Sequence, residues 1–152
     1  MLEPMQIDFI IRDLAPSDRP DWEEIWARYL EFYSHPLDPV VLETTWARLN
    51  DPAEPMFCLV AEHAGILVGL AHCVLHRGTW AVRDICYLED LFVVSEMRGA
   101  GIGGALVEAV YDRADALQCD RIYWLTHETN TAARKLYDKI ATRSGFIQYR
   151  RE

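Results

Sequence analysis

A glycine-rich stretch, RGAGIGGAL, carries two overlapping patterns that are each typical of phosphate binding. Gly99, Gly101 and Gly104 satisfy G-x-G-x-x-G, the fingerprint of dinucleotide-binding enzymes. Arg98, Gly101 and Gly103 satisfy a different pattern, Arg-x-x-Gly-x-Gly. In both cases a glycine-rich turn opens a helix and leaves several backbone N–H groups unpaired, and these groups attract phosphate together with the helix dipole. The stretch therefore predicts a phosphate-bearing ligand, and the surrounding chain must decide which one.

Two acidic residues, Glu89 and Asp90, interrupt the apolar stretch ICYLEDLFVV that precedes this turn. The stretch is predicted to be a strand, in which a partly buried carboxylate can have a raised pKa that suits a general base. Adjacent residues of a strand point to opposite faces, so we expect that at most one of the two carboxylates needs to face a substrate.

Aromatic residues could form a slot for a cation. Tyr29, Glu31 and Tyr33 lie on the first predicted helix, and Trp124 lies on a later predicted strand. Aromatic rings and a carboxylate can hold a cation between them. Ordinary helix packing is the alternative interpretation of the same residues.

Hydrophobic periodicity predicts the element order β-α-α-β-β-β-α-β-α-β, which is an antiparallel meander followed by a β-α-β unit. Asp18 and Asp38 are the predicted caps of the first two helices, and Gly65 lies in the turn of a predicted hairpin. Gly69 is a predicted bulge position. NTAARKLYDKIATRS is predicted as the last helix, ended by Gly145, and FIQYRRE as the last strand.

The position of the glycine turn in this order excludes two common phosphate-binding folds. A dinucleotide-binding fold carries its fingerprint after the first strand, whereas the turn here lies beyond the middle of the chain. A P-loop needs Lys and then Ser or Thr where this chain has Ala105 and Leu106.

The composition of the chain limits the classes of protein it can be. With 152 residues, of which 51% are hydrophobic and 26% charged, we expect a single folded domain over residues 1–152. The net charge of -9 argues against a nucleic-acid partner and is compatible with a cationic substrate. No apolar run approaches the ~20 residues of a membrane span and the N-terminus lacks signal-peptide features, so we expect a cytoplasmic protein without membrane attachment. The cysteines form no C-x-x-C pair, and His72 and His76 have no carboxylate or cysteine at a ligand spacing, so we expect no metal.

Three stretches of the chain, YLEDLFVVSEMRGAGIGGAL, YWLTHETNTAARKLYDK and SGFIQYRR, resemble the GNAT superfamily of N-acetyltransferases. The YLEDLFV strand is similar to the polyamine acetyltransferases, and the C-terminal third is similar to yeast-type histone and polyamine acetyltransferases. The resemblance implies an α+β (α/β) fold of the GNAT type, with a mixed, mostly antiparallel central sheet flanked by helices. It also implies transfer of an acetyl group from acetyl-CoA to an amine.

The chain departs from the family pattern near its end. The family often has Gly-Phe soon after a helix tyrosine, whereas Gly145 follows Tyr137 at a longer distance. We therefore expect the last helix to be one turn longer than in the family.

The resemblance assigns acetyl-CoA to three parts of the chain. The strand before the glycine turn splays away from RIYWLT, and the pantetheine arm pairs with the backbone of Leu91 and Val93. The N–H groups of the turn bind the pyrophosphate, with Arg98 either adding a charge or remaining a solvated surface residue. Asn130 caps the last helix and can also touch the cofactor. The full set assigned to acetyl-CoA is Leu91, Val93, Arg98, Gly99, Ala100, Gly101, Ile102, Gly103, Gly104 and Asn130.

The resemblance also assigns the two proton transfers. Glu89 lies where the polyamine acetyltransferases carry a carboxylate that acts as a base through water, with Asp90 or a solvent relay as the alternative. Tyr137 matches a family tyrosine that can protonate the departing thiolate of CoA, and a purely structural core tyrosine is the alternative. The residues that would line the slot for the acceptor amine are Tyr29, Glu31, Tyr33 and Trp124.

These assignments favour an acetyl-CoA-dependent N-acetyltransferase that acts on a primary amine, a polyamine or another small amine, by direct attack in a ternary complex. A protein lysine or histone-like tail is an alternative acceptor, and a non-catalytic acyl-CoA-binding module is an alternative function. The presence of both Glu89 and Tyr137 disfavours the non-catalytic module. The family branch that this chain resembles forms dimers, and the last predicted strand has an edge that needs a partner. We therefore expect a homodimer.

Overall fold

A five-stranded sheet forms the centre of the fold in the computed structural model, which describes residues 6–152. The strands are β1 (Ile10–Asp13), β2 (Met56–His63), β3 (Ile66–His76), β4 (Ile85–Val93) and β5 (Arg121–Tyr123). The helices are α1 (Arg19–Phe32), α2 (Pro39–Leu49), α3 (Ile102–Ala116) and α4 (Thr131–Ile140). The strands follow the order β1-β2-β3-β4-β5, with antiparallel neighbours from β1 to β4 and a parallel pair of β4 and β5. This confirms the predicted mixed, mostly antiparallel sheet flanked by helices.

The first two helices begin at the predicted aspartates, but only one of these acts as a cap. The Oδ1 of Asp38 accepts a hydrogen bond of 2.8 Å from the backbone N–H of Val40 and so caps α2. Asp18 makes no such bond to α1. Its carboxylate accepts hydrogen bonds from Arg12 at 2.7 and 2.8 Å and from the backbone N–H of Ala15 at 2.7 Å. The hydrogen bonds from Arg12 lower the pKa of Asp18, so this buried carboxylate joins β1 to the start of α1 instead of capping the helix.

The hairpin of β2 and β3 follows its predicted turn and bulge. Ala64 and Gly65 have φ values of 51° and 77°, and two successive residues in the left-handed region form the tight turn that hairpins favour. The pairing register of β2 shifts between Ala61 and Glu62, and Ala61 is the residue opposite Gly69. The bulge therefore lies beside the predicted glycine.

Helices α1 and α3 pack on opposite faces of β3. His72 points towards α1, where its ring meets the edge of Trp26 with the ring centroids 4.8 Å apart. Gly69 points towards α3, and a Cβ at this position would lie 3.1 Å from the carbonyl oxygen of Phe92 and 3.2 Å from Cδ1 of Leu106. Glycine at this position therefore allows α3 to approach the sheet closely. None of the helices within residues 6–152 is long and apolar enough to cross a membrane.

The C-terminal segment differs from its prediction. Helix α4 ends at Ile140, so the additional turn expected there is wrong, and Ala141 is already extended with φ at -151°. The Oγ of Ser144 accepts a hydrogen bond of 3.2 Å from the backbone N–H of Phe146, and such local bonds compete with helical bonding. Residues 141–152 contain no strand, so the last predicted strand is also wrong.

The side chains of that predicted strand are exposed, to 85% for Phe146, 75% for Ile147 and 87% for Tyr149. The alternation of apolar residues suits a strand, but a strand also needs a neighbour that pairs with its backbone groups. Without this strand, residues 141–152 offer no strand edge for a second copy to cover, and the homodimer stays a prediction.

Candidate functional site

Strands β4 and β5 diverge after a short stretch of pairing. The parallel ladder begins at Ile85 and Arg121 and ends at Tyr87 and Tyr123, although β4 continues to Val93. The rings of the last pair stack with their centroids 4.8 Å apart. Beyond this pair lies a cleft of about 260 Å³ whose walls come from α1, β4, the segment after β5 and the start of α4.

Most of the predicted site residues come together in this cleft. The predicted residues that line it are Tyr29, Tyr33, Glu89, Leu91, Val93, Arg98, Trp124, Asn130 and Tyr137. Other predicted residues lie elsewhere: Glu31 is exposed on α1 and does not line the cleft. Ile102 is buried in the core and Ala100 packs against it, so these two residues can offer only backbone groups to a ligand.

The glycine turn lies beside one end of this cleft. Gly99 and Gly101 have φ values of +86° and +84°, the region that favours glycine, and the space that a Cβ would occupy is open at both. Gly101 is the N-cap of α3, so the unpaired N–H groups of the first helical turn begin here. A Cβ at Gly103 would lie 3.9 Å from Val93 and 4.0 Å from Leu136, which places the turn between β4 and α4. Gly104 is likewise close to α4.

Arg98 folds back over the end of β4. Its Nε donates a hydrogen bond of 3.3 Å to the carbonyl oxygen of Val93. Its guanidinium carbon lies 5.9 Å from the ring centroids of both Phe32 and Phe92, within the range of a cation–π contact. Arg98 therefore adds a positive charge to the lining of the cleft at the end nearer the glycine turn.

Glu89 occupies a bulge in β4. Asp90 pairs with His72 and Leu88 pairs with Cys73, so Glu89 is an additional residue without a partner on β3. The bulge interrupts strict alternation, yet Glu89 lines the cleft and Asp90 does not, so one of the two carboxylates faces the site. Glu89 remains exposed to solvent on one side, and the partial burial of its carboxylate raises its pKa, which the charge of Asp90 raises further. A raised pKa suits a general base.

Tyr137 and Asn130 face the cleft from α4. The ring of Tyr137 meets that of Trp124 edge-on, with the centroids 5.3 Å apart. Burial raises the pKa of Tyr137, so its phenol is protonated at neutral pH and can act as an acid. The Oδ1 of Asn130 accepts a hydrogen bond of 3.2 Å from the backbone N–H of Ala133, which caps the helix as predicted.

Aromatic rings of α1 form the opposite wall of the cleft. Tyr29 stacks on Trp26 at 5.0 Å between centroids, and it meets Tyr33 at 4.9 Å and Phe92 at 5.8 Å. Burial and then the charge of Asp90 raise the pKa of Tyr29, so this hydroxyl keeps its proton. The wall combines apolar ring faces with a neutral hydroxyl.

The two histidines singled out in the sequence have protein partners. His72 is hydrogen-bonded to Trp22 and to Asp90, each at 3.0 Å, and Nε2 of His76 is 2.9 Å from the hydroxyl of Tyr123. Across residues 6–152, no three His, Cys, Asp or Glu side chains lie close enough together to hold a metal ion.

Several residues of the cleft were not among the sequence candidates. These are Phe32, Leu88, Phe92, Leu125, Thr126, Ala132 and Ala133. Helical spacing could have found Phe32, because it follows Tyr29 by one turn of α1. The small residues at the start of α4 carry no sequence signal of their own, since alanine is common in all helices.

Comparison with known proteins finds similarity along most of the chain. The model of the family described as "Acetyltransferase (GNAT) family" matches residues 13–141. A D-amino-acid N-acetyltransferase from Saccharomyces cerevisiae is 33% identical over 144 residues, which cover 93% of this chain and 89% of that protein. A thialysine N-epsilon-acetyltransferase from Sus scrofa is 33% identical over 98 residues, which cover 59% of this chain and 57% of that protein.

The same fold occurs among solved structures. An aminoglycoside N-acetyltransferase in complex with CoA superimposes with a TM-score of 0.80 over 99% of both chains. Its sequence is 19% identical, so this likeness concerns the fold alone. The predicted fold class is confirmed.

Proposed function

The chain belongs to the GNAT family of acetyltransferases, and we propose that it transfers an acetyl group from acetyl-CoA to a small primary amine, a polyamine or another small amine. The reaction is direct attack of the amine on the thioester within a ternary complex. One observation carries this proposal: a carboxylate, Glu89, and a phenol, Tyr137, line the same cleft from β4 and α4. These are the two groups that amine attack on a thioester requires.

The glycine turn and the free side of β4 fit the two ends of acetyl-CoA. The open space at Gly99 and Gly101 allows a pyrophosphate to approach the backbone N–H groups at the start of α3. Beyond the end of the β4–β5 ladder, the backbone of Leu91 and Val93 lies along the cleft and can pair with the amides of the pantetheine arm. Asn130 lies at the start of α4, close enough to the cleft to contact the same ligand.

Glu89 accepts the proton that the acceptor must lose. A lysine-like amine has a reference pKa of about 10.4 and is a cation at neutral pH, so it cannot attack until it is deprotonated. The raised pKa of Glu89 brings this carboxylate closer to the pKa of the amine while leaving it a base. Transfer can occur directly or through one water.

Tyr137 supplies the second proton. When the new C–N bond forms, the C–S bond breaks and the electron pair moves to sulfur. The phenol of Tyr137 donates its proton to that sulfur and later recovers one from solvent. The ammonium loses two protons on its way to the amide: Glu89 takes the first before attack, and the second leaves the nitrogen for solvent as the tetrahedral intermediate collapses. The thiolate gains the proton of Tyr137, so the reaction releases one proton overall.

The wall formed by α1 favours a cationic acceptor with an alkyl chain. Tyr29, Phe32 and Tyr33 present ring faces to the cleft, and such faces bind both methylene groups and ammonium groups. The net charge of -9 adds a long-range attraction for cations. The two relatives named above act on amines according to their names, which agrees with this acceptor class.

We expect CoA release from acetyl-CoA in the presence of a small primary amine. A panel of spermidine, lysine, thialysine, a D-amino acid and a lysine-rich peptide tests this, with a thiol assay for CoA and mass spectrometry for the acetylated product. Incubation without any amine measures background hydrolysis. Acetylation of the peptide alone would replace the small amine by a protein lysine. Binding of acetyl-CoA without acetylation of any amine would favour a non-catalytic module.

We expect Gly101→Glu to abolish the thermal stabilisation that CoA gives, because the new carboxylate would occupy the place of the phosphate. Gly101→Ala is the matched control, since it introduces the same backbone strain of roughly 1 kcal/mol without a charge. Melting temperatures with CoA, NAD and ATP provide the measurement. Stabilisation of the wild-type protein by NAD but not by CoA would contradict the assignment of the turn.

We expect Tyr137→Phe to lower turnover roughly 10²-fold, as is usual for loss of a proton-transfer group. Affinity for acetyl-CoA stays nearly unchanged, because the aromatic contact with Trp124 is kept. Single-turnover rates and calorimetric binding separate the two effects. Tyr149→Phe is the control, since Tyr149 is 87% exposed and far along the C-terminal segment. Wild-type turnover of Tyr137→Phe, where chemistry limits the rate, would remove this tyrosine from the mechanism.

We expect Glu89→Gln to remove the acidic limb of the pH profile of kcat/KM. The base is active when ionised, so activity falls as pH decreases through the raised pKa of Glu89, and glutamine cannot titrate. High pH should partly restore activity, because more acceptor is then free amine. Profiles from about pH 6 to about pH 10 test this with two acceptors of different amine pKa.

The acidic limb of kcat/KM can come from deprotonation of the acceptor amine or of Glu89. A limb that comes from the acceptor moves when an acceptor of different amine pKa is used, whereas a limb that comes from Glu89 stays in place. Glu108→Gln, an exposed substitution on α3, is the control. An unchanged acidic limb in Glu89→Gln would mean that Asp90 or water takes the proton.

A further inference from the structure

A chain of buried polar groups runs from α1 through the sheet towards the bulge of β4. The indole Nε1 of Trp22 donates a hydrogen bond of 3.0 Å to Nε2 of His72. Nδ1 of the same ring lies 3.0 Å from Oδ2 of Asp90. Trp22 has no exposed surface and His72 is 3% exposed, so water does not compete for these bonds.

The chemistry of the indole fixes the state of His72. An indole N–H can only donate a hydrogen bond, so Nε2 of His72 must be an unprotonated acceptor. The proton of the neutral ring is then on Nδ1, and this N–H donates to the carboxylate of Asp90. A proton on Nε2 would point at the indole N–H, so the contact with Trp22 fixes which ring nitrogen accepts and which one donates.

This chain fastens β3 to β4 beside the bulge. His72 and Asp90 are directly opposite each other, and the next pair is Cys73 with Leu88, which leaves Glu89 unpaired between them. A bulge interrupts the ladder and weakens the local pairing of strands. The side-chain bond between His72 and Asp90 compensates for that loss at the adjacent step.

We propose that Trp22 and His72 act as positioning residues for the reaction: they hold the Asp90 carboxylate in place and thereby fix the bulge that presents Glu89 to the acceptor amine. This inference rests on the proposed function, in which Glu89 is the base. Asp90 is then not a second base but a fixed negative charge next to the first. Through this charge it disfavours ionisation of Glu89 and of Tyr29, whose pKa values are both raised.

Other charged and titratable groups share the cleft with Glu89. These are Tyr29 and Tyr33 of α1, Arg98 and Tyr137. On the sheet side, burial raises the pKa of Tyr87 and of Tyr123, and the charge of Glu89 raises both further. The charge of Asp90 also acts on Tyr29 and Tyr87, so the titration of Glu89 itself must be followed in the Asp90 variant.

The first measurement uses the wild-type protein. Nitrogen-15 spectra of histidine-labelled protein should show His72 with the proton on Nδ1 and with Nε2 as the acceptor. The chain contains 5 histidines, and the signal of His72 is identified by its loss in His72→Asn. A proton on Nε2 in the wild-type protein would overturn the proposal without any reference to activity.

The second measurement compares variants. Asp90→Asn keeps an oxygen for His72 but removes the charge, so the acidic limb of kcat/KM should move to lower pH by about 1 unit. His72→Leu should lower kcat roughly 10-fold to 10²-fold because the bulge loses its support. His72→Asn keeps an N–H near the position of Nδ1 and should restore most of this loss. Asp112→Asn, an exposed substitution on α3, is the control.

The outcomes separate this proposal from the proposed function. If the acidic limb of kcat/KM lies at the same pH in Asp90→Asn as in the wild type, Asp90 does not act on Glu89 as a fixed charge. If kcat falls equally in His72→Leu and His72→Asn, and in proportion to the fall in their melting temperatures, His72 has only a structural role. If no amine is acetylated, carbon-13 titration of the Glu89 carboxyl in wild type and Asp90→Asn still decides whether Asp90 acts on Glu89.

Discussion

The short length of the parallel ladder between β4 and β5 is the constraint on which the site depends. The ladder ends at Tyr87 and Tyr123, whose rings stack on each other. Beyond them β4 continues with β3 on one side, and no strand among residues 6–152 pairs with its other side. Backbone N–H and C=O groups that do not pair within the protein must pair with water or a ligand. A sheet that opens in this way is therefore prepared for an extended, amide-containing ligand.

The charges along the cleft are arranged so that an elongated ligand can bind in only one direction. At one end the helix start at Gly101 and the guanidinium of Arg98 favour anions. The N-terminus of α4, capped by Asn130, adds a second positive helix end on the same wall. Further along β4, Glu89 lines the cleft and favours cations. A ligand with a phosphate bound at the glycine turn could therefore extend towards this carboxylate.

Patterns that depend on a few neighbouring residues could be predicted from the sequence. The cap at Asp38, the turn at Gly65 and the helix start at Gly101 all follow from local backbone requirements. The role of Asp18 could not be predicted, because its contact with Arg12 depends on the path of the segment between β1 and α1, which carries no clear sequence pattern. The prediction of a C-terminal strand was wrong for a related reason. The alternation of apolar residues around Phe146 is visible in the local sequence, whereas a strand also needs a neighbouring strand to pair with, which the local sequence does not show.

The bulge at Glu89 shows most clearly why the site could be predicted only in part. Its residue types identified the candidate base, but the direction of a strand side chain depends on register, and register is decided by the partner strand. The hydrogen bonds of His72 to Trp22 and Asp90 hold that register. Without them, Trp22 and Trp26 would form a purely apolar contact with the sheet in this region. Polar groups buried in this way cost free energy unless every bond is made. These buried polar groups lie next to the bulge at Glu89. Their position is explained if they maintain the local geometry of the bulge rather than the stability of the core.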